Sequence, residues 1–244
     1  MDRLEPGRQP EGSPAGTQKW RRLLFLHWEV PVARLRALVP EPLAIDTFEG
    51  RAYVGVVAFE MHDVRPSRFL PAVPTARQFE EVNVRTYVHL RGERPGVWFF
   101  SLDAASALAV LGARAFFHLP YYHARMHTER DGDGRIVYRS ERNWEGGARA
   151  AIGVRYETGD DLGPAREGTF EHFLAERYYL YARTSRGTLL RGQVHHMPYP
   201  LREARVLDLD ESLVAAAEIP RPEERVSELW SPGVDVEIYR LKRC

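Results

Sequence analysis

The chain has 244 residues, 44% of them hydrophobic and 11% aromatic, with Lys+Arg and Asp+Glu balanced at 34 each. That length suits one strand-rich domain and that apolar share suffices for a sizeable core, while a zero formal charge supplies no basic field to hold a nucleic acid. Lysine occurs only at Lys19 and Lys242 and cysteine only at Cys244, so an amine nucleophile inside the domain, an internal disulfide and a CxxC site are excluded by inventory.

Residues 1–18 are polar and rich in Pro and Gly, which predicts a disordered leader lacking the apolar stretch of a secretory signal. A single domain is expected over residues 19–244. No apolar run reaches the length of about 18 residues that suggests a membrane-spanning helix, and the expected location is cytoplasmic. Trp20 to Val30 reads as a strand, and Pro31 opens a short helix ending before Pro40. Glu49-Gly50 lies between two β-type runs and predicts a hairpin. Arg65 to Arg77, carrying Pro66, Pro71 and Pro74, is too long for a tight turn and is expected to be a lid or rim.

Phe79 to Leu90 is the clearest strand. Val82, Val84, Thr86, Val88 and Leu90 fall on one face, and Glu81, Asn83, Arg85 and Tyr87 on the other. The polar face either meets solvent, as in a half-exposed antiparallel strand, or lines the cavity of a barrel. A return strand reaches Ala104, and Ala104 to Phe117 reads as a helix that Gly112 is placed to interrupt. Beyond Pro120 the chain resumes as a strand bearing Tyr121, Tyr122, His123 and His127. Asp131 to Gly134 predicts a hairpin turn rather than a calcium loop, which needs a closing Glu. Further strands are expected at 135–142, 148–157, 176–184, 188–196 and 204–209. Thr169 caps a short helix, and Asp210 caps a last one before a proline-rich C-terminal segment.

The histidines at 118, 123 and 127 do not share one strand face and have no HExxH or carboxylate partner. His195 and His196 are adjacent, so at most one enters any pocket. GxSxG, GxGxxG and P-loop patterns are absent, which removes the usual signs of a serine hydrolase, dehydrogenase or NTPase. There remain Glu81, Asn83, Arg85 and Tyr87, with Asp103 on the neighbouring strand and Tyr121 and Tyr122 beyond Pro120. A pocket arginine holds a carboxylate through a forked pair of hydrogen bonds, and a nearby glutamate orients it or moves a proton. The same residues also suit a buried ion pair that only satisfies itself.

The segments HWEVP, FEEVNVRTYV, FFSLDA, ARAFFHLPYYHARM, ERYYLYA and VHHMPYPL, in that order between Trp20 and about Leu209, resemble the YqjF-like family of bacterial proteins, a branch of the acetoacetate decarboxylase-like superfamily. The resemblance implies a mainly β (α+β) fold, a cone-shaped and mostly antiparallel β-barrel with short peripheral helices around a central cavity. In the decarboxylases a segment ending Gly-Phe-Pro-Lys-Lys supplies the Schiff-base lysine. Here the similar segment is His118-Leu119-Pro120-Tyr121-Tyr122, with tyrosine at both lysine positions. Phe79-Glu80-Glu81 is similar to an aromatic-x-Glu pattern on a decarboxylase pocket strand, which implies Glu81 inside.

The resulting expectation is a small-molecule-binding barrel for a small organic acid or carbonyl compound, without Schiff-base chemistry. Glu81, Asn83, Arg85, Tyr87, Asp103, Tyr121 and Tyr122 are the expected lining. The alternatives are an acid–base lyase, isomerase or hydratase using Glu81 with Tyr121 or Tyr122, and a structural or interaction barrel filled by its own side chains. No cofactor, metal, nucleic acid or membrane is expected, and a homodimer that hides a sheet edge is compatible with the pattern.

Overall fold

The computed structural model describes residues 1–65, 77–144 and 146–244. The loop predicted as a lid or rim therefore lies, for residues 66–76, outside the described residues. In chain order the strands are β1 (Gly16–Val30), β2 (Leu43–Ile45), β3 (Ala52–Arg65), β4 (Gln78–Leu90), β5 (Glu93–Ala104), β6 (Tyr121–Arg130), β7 (Ile136–Arg142), β8 (Ala151–Gly163), β9 (Tyr179–Arg183), β10 (Leu189–His195), β11 (Leu201–Glu211), β12 (Ser227–Ile238) and β13 (Lys242–Arg243). The helices are α1 (Val32–Leu38), α2 (Ala107–Phe117), α3 (Phe170–Ala175) and α4 (Leu213–Ala216). Among the described residues no helix is long and apolar enough to cross a membrane.

The strands form one sheet that closes on itself twice. Hydrogen bonding runs from β5 through β6, β7, β8, β11, β12, β1, β3 and β4 back to β5. A smaller ring runs from β5 through β9, β10, β12, β1, β3 and β4. A strand common to both rings is covered on its two sides where the rings meet, and β3 is buried at every residue from Ala52 to Met61. That accounts for its nearly continuous apolar sequence, since a strand buried on both sides does not alternate. Leu24, Leu26, Trp28, Val54, Val56, Val82 and Val84 pack into the larger ring. Leu23, Phe25, Val57, Phe59 and Met61 face the smaller one.

Pairing is mainly antiparallel, with β5 parallel to both β6 and β9. The link from β5 to β6 is a single crossover through α2; the sequence predicts this strand, helix and strand but not their parallel pairing. Ser106 caps α2 by accepting a hydrogen bond from the Ala109 amide at 3.3 Å, so the helix starts after Ala104 rather than at it. Gly112 does not break it. The helix stops at His118, which takes the left-handed conformation at φ 53°. α3 has the expected cap, Thr169 accepting from the His172 amide at 3.3 Å. α4 does not, because Asp210 lies within β11 and Glu211 accepts from the Val214 amide at 3.1 Å.

Two further expectations need correction. The predicted hairpin at Glu49-Gly50 is one bridge, Phe48 to Arg51, because β2 pairs with β4 instead of β3. The C-terminal segment contains β12, which pairs with β1 from Gly16 opposite Ile238 to His27 opposite Ser227. Its prolines masked it, yet Pro232 sits where the register skips from Arg21–Gly233 to Leu23–Ser231, a place where a missing donor costs no ladder bond. Gly233, at φ 127°, is required there, since a Cβ would lie 2.0 Å from the Trp20 carbonyl oxygen.

The first residues, expected from composition to be a disordered leader, make specific contacts with the barrel. Arg3 forms a forked pair of bonds to Asp46 at 2.5 and 2.7 Å. Tyr179 donates to Glu5 at 3.0 Å, and Gln193 donates to the Pro6 carbonyl at 3.0 Å.

Candidate ligand-binding cavity

The smaller ring encloses a cavity of about 140 Å³, room for roughly four or five waters at about 30 Å³ each. Its polar wall is β4. Glu81, Asn83 and Arg85 stand in a row on the strand face turned to the cavity and are 3%, 5% and 8% exposed. The alternating pattern thus marks an enclosed face rather than a solvated one. The even residues Val82 and Val84 are buried on the other side, within the larger ring.

Glu81 accepts a hydrogen bond from the Tyr121 hydroxyl at 3.0 Å. Burial pushes its carboxyl up to about 8, against the lowering effect of Tyr121 and with a further raising contribution from Asp103. At neutral pH it is mostly a neutral acid, able to donate as well as accept. Tyr121 is itself held well above the ordinary phenol range by burial and by Glu81. Between Glu81 and Arg85, the Asn83 side-chain oxygen is buried and without a hydrogen-bond partner.

Two arginines reach the cavity, and their situations differ. Arg177 bonds to Asp46 at 2.7 Å and to the Phe173 carbonyl at 2.7 Å, and packs over the Phe173 and Tyr87 rings. Its charge is matched. Arg85 donates to the Leu174 carbonyl at 3.0 Å, its Nε has no partner, and no carboxylate lies within ion-pair distance among the described residues. The alternative of a self-satisfied ion pair therefore describes Arg177, which the sequence did not single out, and not Arg85.

The other predicted residues fall elsewhere. Tyr87 shares the face of Arg85 but lies beyond the cavity, donating to the Leu174 carbonyl at 3.0 Å and accepting from His27 Nε2 at 2.7 Å. Asp103 is opposite Val82 and beside Tyr122 in the register, hence inside the larger ring. There Arg142 binds it at 3.0 Å and stacks 4.0 Å from the Tyr122 ring centroid. Burial raises the Asp103 carboxyl to about 6 although Arg142 opposes the shift. Asp103 and Tyr122 thus make an ion-pair and ring support behind the wall that carries Glu81 and Tyr121.

Sequence reasoning missed the aromatic half of the cavity, contributed by Trp20, Phe99, Tyr178 and Tyr199. His196, buried and neutral with its pKa lowered by desolvation to about 4, packs between Tyr178 and Tyr199 at 4.6 Å from each ring. His195 instead bonds to the Gly7 carbonyl at 3.1 Å. The segments VHHMPYPL and ERYYLYA carried these residues in view, but nothing in their spacing assigns them to one cavity. No group of three His, Cys, Asp or Glu side chains converges as a metal site among the described residues.

A double-closed sheet with a small polar cavity under a βα crossover defines an acetoacetate decarboxylase-like barrel. Consistent with that class, the fold is similar to an acetoacetate decarboxylase from Legionella pneumophila, with a TM-score of 0.61 and 14% identity over 97% of this chain and 90% of that one. It is also similar to the enduracididine biosynthesis enzyme MppR in complex with pyruvate, with a TM-score of 0.61 and 13% identity over 97% and 93% of the two chains. More particularly, the chain belongs to the DUF2071 family of uncharacterized conserved proteins, whose profile matches residues 17–235. It is 39% identical over 234 residues to YqjF of Bacillus subtilis (strain 168), covering 96% of this chain and 94% of that protein.

Proposed function

We propose that the protein binds a small organic acid, or a carbonyl compound bearing a carboxylate, non-covalently in the cavity of the smaller ring, with Arg85 as the anchor. The observation that carries this reading is the buried guanidinium of Arg85, which faces the cavity without a carboxylate partner. A buried charge is costly unless it is paired, and an anionic ligand supplies the pair. Asn83 and the neutral acid of Glu81 then offer polar contacts that do not repel a second negative charge. That MppR is described in complex with pyruvate supports a 2-oxo acid as the first probe.

Covalent capture through a lysine is outside this reading. Lys19 is paired with Asp63 at 2.7 Å and is partly exposed, and Lys242 lies in the exposed β13. Titration calorimetry with pyruvate, acetate and their amides tests the proposal. The acids are expected to bind at one site per chain and the amides at least tenfold more weakly, with no adduct trapped by borohydride. Equal affinity for acid and amide, or a trapped adduct, would overturn it.

A second reading is favoured by one observation, the Glu81–Tyr121 hydrogen bond at the cavity wall. A carboxyl poised near neutrality next to a phenol suits proton transfer at a carbon beside a carbonyl. Its signature is deuterium exchange into the methyl group of pyruvate, absent in Glu81→Gln. Tyr122, directed to the other ring, has no part in it. The ligand is taken to be a soluble cytoplasmic metabolite.

A further inference from the structure

Phe99 and Leu119 line the cavity and also line an external groove of about 620 Å³. The groove carries the half-buried Trp98 and the exposed Arg114, His118 and Arg183, with no Asp or Glu among its lining residues. An anion is therefore tolerated along its whole length. Phe99 is also the cross-strand partner of Arg85, which places its Cβ about 4.5–5.5 Å from that of the anchor and on the same face. Leu119 arrives from the turn between α2 and β6 and clusters with Leu102 and Ala182, against which Phe99 packs.

We propose that Phe99, backed by Leu119, is the partition that sets the length of the acid the cavity accepts, and that the groove behind it is where a longer acid extends once the partition is reduced. The inference rests on the Arg85 reading. The Phe99 side chain leaves the sheet next to that of Arg85 and lines the same cavity, which offers only about 140 Å³ in all. Each further methylene must displace a packed side chain, and discrimination over one methylene is worth about tenfold or more. Phe99 and Leu119 are the two described residues that line both spaces, so trimming either one thins the wall between cavity and groove.

The test is calorimetric titration of wild type, Phe99→Ala and Leu119→Ala with pyruvate, 2-oxobutyrate, 2-oxohexanoate and 2-oxooctanoate, each variant first shown to unfold cooperatively on heating. Leu119→Ala, on a turn, covers the case in which Phe99→Ala fails to fold. Wild type is expected to lose at least tenfold in affinity between pyruvate and 2-oxohexanoate, and a folded variant to bind 2-oxohexanoate at least tenfold tighter than wild type. Folded variants that keep the wild-type length profile would overturn the inference, as would wild type binding 2-oxooctanoate as tightly as pyruvate. Wild type that binds none of the four acids contradicts the Arg85 anchor instead.

Discussion

Arg85→Met is expected to make the ligand-free protein more stable while abolishing its response to pyruvate. In the free chain the Arg85 guanidinium is buried, bonded to one carbonyl and set over the Phe25 and Tyr87 rings at 5.7 and 5.8 Å, and lacks an anionic partner among the described residues. Replacing a poorly compensated buried charge by an apolar side chain of similar length is commonly neutral or stabilising, by about 1–4 kcal/mol. The Leu174 carbonyl keeps a donor, because the Tyr87 hydroxyl also reaches it at 3.0 Å. Binding moves the other way. Loss of one partner of a buried charged pair costs about 2–5 kcal/mol, on the order of 30-fold in affinity or more. Thermal melts with and without pyruvate read both effects at once. A variant less stable than wild type, with an unchanged pyruvate shift, would show Arg85 to be structural.

Glu81→Gln is expected to flatten the dependence of stability on pH above neutrality. The folded carboxyl titrates near 8 against an ordinary 4.5. Between those values the folded chain holds a proton that the unfolded chain has released, so the stabilising contribution present in full below about 4.5 is lost as pH rises through 8. His196 acts in the opposite sense, because its folded pKa of about 4 lies below the ordinary 6.5 and its contribution is lost as pH falls below that value. His27, His89 and His172, also lowered by burial, act as His196 does and titrate alike in both proteins, so the difference between wild type and Glu81→Gln from pH 6.5 to 8 isolates Glu81, whose own loss across that interval is on the order of 2 kcal/mol. Urea unfolding at pH 6.5, 7.3 and 8 reads the slope, with the variant flatter than wild type. Pyruvate affinity follows the same group, since ionised Glu81 repels a second carboxylate. Affinity falls above about pH 8 in wild type and holds steady in Glu81→Gln. Parallel pH profiles for the two proteins would remove Glu81 from the account.

How much of this was legible beforehand varies from strand to strand. Alternation along β4 places Glu81, Asn83 and Arg85 together because a strand's side chains have a period of two and the pairing of β4 with β3 is unbroken across them. The same rule extends to Tyr87 in direction but not in reach, since the Phe173 ring packs 5.0 Å from it beyond the cavity. Asp103 needed the register of β5 against β4, which shifts between Val84 and Arg85. That irregularity is a tertiary fact without a local signature. Tyr121 and Tyr122 are neighbours in a strand and so face opposite ways, and only the parallel pairing with Leu102 decides which one enters. Sharing strands between two rings could not be read from the sequence, although the unbroken apolar run of β3 is its trace. The family resemblance supplied the barrel that strand counting left open.

The most direct test of the central claim is a diffraction structure of the wild-type protein crystallised with pyruvate at neutral pH. A pyruvate is expected inside the smaller ring, its carboxylate oxygens about 2.7–2.9 Å from the Arg85 guanidinium nitrogens and with no covalent bond to the chain. A cavity holding no carboxylate under saturating pyruvate, or a pyruvate bound away from Arg85, would contradict it.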